Sequence, residues 1–379
     1  MAATVIYGAF ATILAFIPIV LRHLGATAEI LALYTSLTYI GTIMAGPGLF
    51  LARQSRPLRM VVLVQALGRA MFLGAALVTG DIGLLILVTV FWLCEGLPSP
   101  TYSGIVQKIY PVESRGSIMA IVRVGMSLAL LLLAPVAGWM LDGPGYRVLF
   151  PVAGALGIAA ALIFGRLRFN EGELRLALRP SARSFGGILS YDRRYVLYLA
   201  AVVLFGLSAL MPSALIPLVQ VDRLHISYTE LGWLNLSLSL VRLPAYYFFG
   251  RFLDRKGAVW CLQVACLLNL VAVVPYIWVT RAWMLLPTFV ASGLVGPAID
   301  LGLINAAIQL AREGRFQEYS ALQSTVIGVR GMIAPFVGVV LLRMGVGSPV
   351  IFALSGAAAL LAAILLMKVK LPLLVCEEE

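Results

Sequence analysis

Residues 227–280 read SYTELGWLNLSLSLVRLPAYYFFGRFLDRKGAVWCLQVACLLNLVAVVPYIWVT. Two apolar stretches, 227–250 and 258–280, flank a short charged gap that contains Arg251, Asp254, Arg255 and Lys256. Each stretch exceeds the roughly 20 residues a helix needs to cross a bilayer. Neither shows the two-residue alternation of a barrel strand, so both read as helices. Lipid leaves no other choice, because a crossing backbone must satisfy its own hydrogen bonds. The three cations in the gap mark it as a cytoplasmic loop.

The same pattern extends in both directions. Twelve apolar segments lie at about 3–22, 28–50, 58–79, 82–105, 117–141, 146–165, 195–219, 227–250, 258–280, 282–311, 319–342 and 347–368. Every second gap is basic and holds residues such as Arg53, Arg59, Lys108, Arg115, Arg193, Arg194, Arg255 and Arg312, whereas the other gaps hold only Arg22, Arg147, Arg223, Arg281 and Arg343. Both termini are therefore expected on the cytoplasmic side. The expected fold is all-α, with twelve transmembrane helices.

Composition agrees. Of the 379 residues, 61% are hydrophobic and 12% are charged, and the mean hydropathy is +0.99. A soluble domain of this length carries about twice that charge. The net charge of +11 is spread over membrane-edge loops and does not signal nucleic-acid binding. The four cysteines contain no CxxC, so neither a metal site nor a cofactor is expected. No phosphate-binding loop, nucleophile elbow or His/Glu metal spacing is present, which argues against an enzyme.

The chain also repeats itself at a spacing near 200. Ile17-Pro18 recurs as Ile216-Pro217, Glu29 as Glu230, Arg115 as Arg315, and the Ala-Pro-x-x-Gly of 134–138 recurs at 334–338. Matches in register over segments of the same topology imply two six-helix bundles, 1–165 and 195–379, with a polar connection at 166–194. Arg193 and Arg194 anchor the seventh segment. The matching place before the first segment lies before Met1, so either the native chain starts further upstream or the first helix begins flush with the membrane.

Local motifs carry a family resemblance. Gly250-Arg251-Phe252-Leu253-Asp254-Arg255-Lys256-Gly257 matches the GxxxDRxG loop of the major facilitator superfamily, and Pro111–Gly116 is similar to its PxxxRG element. Leu141-Asp142-Gly143-Pro144-Gly145-Tyr146-Arg147 resembles its turn between helices 5 and 6. The resemblance covers essentially the whole chain. It implies a secondary transporter, a cavity lined by helices 1, 4, 7 and 10, and a cytoplasmic gate at Gly250, Asp254, Arg255, Lys256, Gly257 and Arg115. Asp254 is expected to accept bonds at the start of the ninth helix. The first-half counterpart has Ala52 in place of the acid, and Trp92 stands where drug–proton antiporters usually carry an arginine.

Charges at membrane depth are costly and therefore informative. Asp300 and Arg330 each lie 15 residues from Arg315, which predicts an ion pair at equal depth. Arg69 and Glu95 lie 12 and 14 residues from Asp81, which predicts a second pair. Arg123 and Arg242 show no acidic neighbour. Arg242 shares a helix face with Asn235, Ser239 and Tyr246. Uncompensated guanidiniums suit a carboxylate-bearing solute. Tyr34, Thr38, Asn305 and Gln309 are further polar candidates, weighed against simple packing bonds.

These features predict a multi-pass plasma-membrane transporter of the bacterial inner-membrane type, monomeric in the bilayer. It moves a small organic solute, with a lean toward an anionic or amphipathic one, by alternating access. A coupling proton would run through Glu95 or Asp300. The alternatives are a proton-coupled multidrug efflux pump and a non-transporting sensor or assembly factor on the same fold.

Overall fold

The fold was read from a computed structural model that describes residues 2–369 except 42–43, 45–46, 48–49, 52–55, 110–114, 168–185 and 313–314. All regular structure among them is helical. Nine helices there are long and apolar enough to cross a membrane, or ten if Asp81–Gly96 and Ser99–Val106, bent by 42°, form one span. These ten coincide with ten of the twelve expected segments. The expected 28–50 segment begins with the helix Ala28–Leu37 and continues into residues that are not described. The expected 227–250 segment lies in Tyr228–Lys256, a 29-residue helix more polar than the others.

Packing divides the chain into two compact units. Unit 1 comprises Met1–Ser181, Ser213–Ser239 and Thr280–Trp283, and unit 2 comprises Ala182–Pro212, Leu240–Val279 and Met284–Glu379.

Four phenylalanines from four spans form the centre of unit 1. Phe72 meets Phe10, Phe91 and Phe150 edge-on, at 5.3, 5.1 and 5.8 Å between ring centroids. All four are essentially fully buried. Edge-to-face rings pair the positive rim of one with the negative face of the next, so the cluster is specific as well as apolar. Glycine lets the spans close around it. A side chain at Gly157 would crowd Phe10 and the Arg69 stem at 3.0 Å.

Unit 2 is tied instead by hydroxyl groups. Buried Tyr195, Tyr198 and Tyr319 donate to Tyr319 O (2.6 Å), Gln323 Oε1 (2.7 Å) and Asp192 Oδ2 (2.8 Å). Deeper in the unit, Asn269 Nδ2 donates to Ser208 Oγ at 2.7 Å, and Ser355 Oγ donates to Ser208 O. Such bonds hold helices together where lipid supplies no hydrophobic drive between them.

The 200-residue repeat is visible in the backbone. Gly145 and Gly345, 200 residues apart, both take positive φ, 82° and 85°, in the turns between successive helices. Gly25, at φ 98°, corresponds to His225, at φ 49°, the one non-glycine residue with positive φ among those described. The turn is thus preserved at a position where a Cβ makes it costly.

Candidate functional site

Unit 1 contains a buried polar site. Arg69 Nε donates to Glu95 Oε1 at 2.7 Å, the pairing that equal depth predicts. Arg69 Nη1 also donates to Gly157 O at 3.0 Å, and its guanidinium lies 4.6 Å from the centre of the Tyr7 ring. The two side chains are only 5% and 13% exposed. They border a cavity of about 190 Å³ lined also by Tyr7, Gln65, Ser99 and Tyr102. Gln65 precedes Arg69 by four residues on the same helix, so one face carries both. Tyr7 and Tyr102 did not emerge as site residues from the sequence; lone tyrosines in apolar helices carry no distinguishing spacing.

Unit 2 contains an open one. Asp300 meets Arg242 and Tyr246, whereas equal depth pointed to Arg330. Tyr246 Oη donates to Asp300 Oδ2 at 2.5 Å, and Arg242 Nη2 stands 3.7 Å from the same oxygen. The Arg242 and Asp300 side chains are 40% and 43% exposed. Arg242 therefore has an acidic neighbour after all. At 3.7 Å the contact is electrostatic rather than a good hydrogen bond, so the guanidinium keeps donors to offer elsewhere. Arg330 turns another way. Its guanidinium lies 6.0 Å from the Phe205 ring centre, and a side chain at Gly206 would collide with its Cδ and Nε. Depth along a helix fixes height only; the direction a residue faces around the helix chose the partner.

Other expected residues separate from these groups. Asn235 donates to Leu231 O and Asn305 to Leu301 O, each within its own helix. Tyr34 donates to Leu14 O and Thr38 to Thr35 O. Arg115 and Arg123 lie in the helix Arg115–Asp142, but their side chains fall outside the described residues, as do Ala52 and most of the 111–116 element.

The 250–257 loop also differs from expectation. Gly257, at φ 82°, makes the turn into the helix Ala258–Val273. The Ala258 N–H at that helix start is accepted by Gln309 Oε1 at 3.2 Å, while Asp254 is exposed. Gln309 reaches it from a neighbouring helix, which no local motif encodes. A Cβ at Gly250 would meet open space, so close packing does not explain that glycine. Arg255 is exposed, and Lys256 Nζ sits 4.9 Å from the Trp260 ring centre.

One charged cluster in unit 1 went unrecognised in the sequence. Arg22 holds Asp222 through two bonds, Nε to Oδ1 at 2.9 Å and Nη2 to Oδ2 at 2.7 Å. These two residues are 200 apart and so occupy equivalent places in the repeat. Nearby, Asp142 accepts the Tyr228 and Thr229 N–H groups at 3.0 and 2.7 Å, at the start of the helix Tyr228–Lys256. A carboxylate suits that end, where unbonded N–H groups and the helix dipole are positive. Ser227 and Glu230 complete it with a reciprocal capping box. Gly138 permits the approach, since a side chain there would strike Tyr228 O. The spacing of 200 was the available signal for Arg22 and Asp222.

Among the described residues, no group of His, Cys, Asp and Glu could hold a metal ion.

The sequence model of the Major Facilitator Superfamily matches residues 1–279 and 198–375. No curated protein matches the sequence significantly. Solved structures share the fold at low identity. A variant of the nucleoside transporter NupG superposes with a TM-score of 0.71 at 11% identity, covering 97% of this chain and 98% of that one. A variant of the peptide transporter POT in complex with sulfate gives 0.69 at 15% identity, covering 97% and 93%. A bacterial homologue of the human lysosomal transporter Spinster, inward-facing and occupied, gives 0.63 at 14% identity, again covering 97% and 93%.

Proposed function

Because this chain belongs to the Major Facilitator Superfamily, we propose that it is a secondary transporter that carries a small organic solute across the plasma membrane by alternating access. It is read as a monomer with twelve spans in two halves, both ends on the arginine-rich, cytoplasmic side of a bacterial-type inner membrane. Its action is transport, not catalysis.

The observation that carries the solute reading is the Arg242–Tyr246–Asp300 group. Charged side chains on a membrane helix that stay two-fifths exposed face water or a ligand, since lipid would not tolerate them. Arg242 offers forked donors that match a carboxylate, which supports an anionic or amphipathic solute. Asp300 competes for the same guanidinium. A proton on Asp300 would release Arg242 to the solute, and Tyr246 keeps the acid in place meanwhile. This couples binding to a proton with residues already in contact. A proton-coupled efflux pump is the second reading, because the same acid could carry a proton inward as a lipophilic cation leaves.

The arms of one experiment distinguish them. Thermal unfolding of the purified protein is measured against organic anions, sugars, amino acids and lipophilic cations at two pH values. Stabilisation by anions that disappears in Arg242→Ala is expected. Stabilisation by lipophilic cations alone, lost in Asp300→Asn, would replace the anion reading with efflux.

At the other end of the helix Tyr228–Lys256, the Arg22–Asp222 bonds and the Asp142 cap are suited to act as an outer latch.

A further inference from the structure

A cavity of unit 2 lies outside this transport reading. It measures about 420 Å³ and is bounded by Tyr191, Asp192, Arg193 and Arg194 on one side and Gln309 to Arg312 on the other. Three exposed arginines, Arg193, Arg194 and Arg312, line it against one carboxylate.

That carboxylate is already engaged. Asp192 Oδ1 accepts the Tyr195 N–H at 3.0 Å, and Oδ2 accepts the Tyr319 hydroxyl at 2.8 Å. Gln309 Oε1 is likewise taken by the Ala258 N–H, which leaves its amide NH₂ as a donor. None of the ion pairs among the described residues uses Arg193, Arg194 or Arg312. The wall therefore offers mainly donors. Arg193 and Arg194 also open the helix Arg193–Leu210, the end where the backbone dipole repels cations and favours an anion. Their clustering there leaves an excess of positive charge over the single Asp192 carboxylate.

We propose that this pocket binds a phosphate-ester oxyanion, supplied by the headgroup of an anionic glycerophospholipid. Forked guanidiniums match phosphate oxygens. The lipid source follows from the surroundings. The pocket sits at the arginine-rich ends of the spans, where the cytoplasmic leaflet presents its negative surface. Beside it, the short helix Gly186–Tyr191 exposes Leu189 and Tyr191 at 49% and 80%, an apolar and an amphipathic side chain of the kind found at the headgroup level.

The test uses the full chain, purified in detergent and stripped of lipid. Dioleoylphosphatidylglycerol, dioleoylphosphatidylcholine and inorganic phosphate are titrated against melting temperature, with retained lipid read by native mass spectrometry. The variants are Arg193→Gln/Arg312→Gln, Arg193→Lys/Arg312→Lys, and Arg281→Gln as a distant control.

Phosphatidylglycerol should raise the melting temperature and remain bound. Its apparent affinity should fall by at least about tenfold in the Gln double variant, less in the Lys variant, and not in the control. An equal, arginine-dependent response to inorganic phosphate would assign the pocket to soluble phosphate instead. Equal phosphatidylglycerol binding by wild type and the Gln variant would overturn the site. If the Gln variant does not fold, the comparison rests on the Lys variant, and an undiminished response there, together with equal stabilisation of the wild type by phosphatidylcholine, would overturn it equally.

Discussion

Among the described residues, each unit holds an arginine–carboxylate contact between two of its helices, and the two contacts differ sharply in burial. Arg69 and Glu95 touch at 2.7 Å with 5% and 13% exposure, and Arg69 is pinned further by Gly157 O and the Tyr7 ring. Arg242 and Asp300 stand 3.7 Å apart with 40% and 43% exposure, and Tyr246 takes the better bond to the acid. The first guanidinium is held from three directions and has little freedom. The second has donors left over and room for something to reach them. Equal chemistry thus gives a buried pair held from several directions in one unit and an exposed pair with donors to spare in the other.

Breaking the closed pair should have the largest effect. Arg69→Ala leaves Glu95 buried without its cation and should cost about 3–5 kcal/mol, read as a large fall in melting temperature or loss of folded protein. Removing both charges, as in Arg69→Met/Glu95→Leu, should be milder than the single change. A single variant that melts like the wild type would remove the structural role of the pair.

The open pair should respond in the other direction. Arg242→Ala should abolish or redirect transport while stability changes by less than about 1 kcal/mol, as for an exposed ion contact. Unchanged uptake kinetics in proteoliposomes would take Arg242 out of the solute path.

The latch in unit 1 should fall between function and stability. Asp142→Ala removes an acceptor from two N–H groups at a helix start and should cost about 1 kcal/mol. It should also raise labelling of a reporter cysteine placed near Tyr228. Identical labelling would leave Asp142 as a helix cap and nothing more.

The smallest effect concerns the repeat itself. His225→Gly puts into one half the residue that Gly25 supplies in the other. It should stabilise by about 0.5–1 kcal/mol, because a Cβ at positive φ is strained. A fall in melting temperature would mean that the His225 side chain contributes more than its backbone strain removes.

The all-helical class and ten of the spans could be read along the chain because they depend on one-dimensional quantities. Span length, the alternation of basic gaps and the spacing near 200 survive without any knowledge of neighbours. Even the left-handed turns at Gly145 and Gly345 obey that spacing. The depth argument also reached Arg69 with Glu95, where helices adjacent in sequence pack together. It failed for Asp300, which meets Arg242 and Tyr246 of the helix Tyr228–Lys256. Which partner meets it depends on rotation about the helix axis, and that is set by packing. The same holds at the 250–257 loop, where Gln309 caps the helix from a distance in place of Asp254.

By itself, then, the sequence determined a helical membrane protein and the family to which it belongs, because bilayer thickness and local turn chemistry act residue by residue. Only the tertiary structure decided that Arg242 faces Asp300, that Arg22 meets its repeat equivalent Asp222, and that Asp192 is engaged by Tyr195 and Tyr319 beside three arginines. Those choices arise from which helix faces pack against each other, a three-dimensional fit that no spacing along the chain expresses.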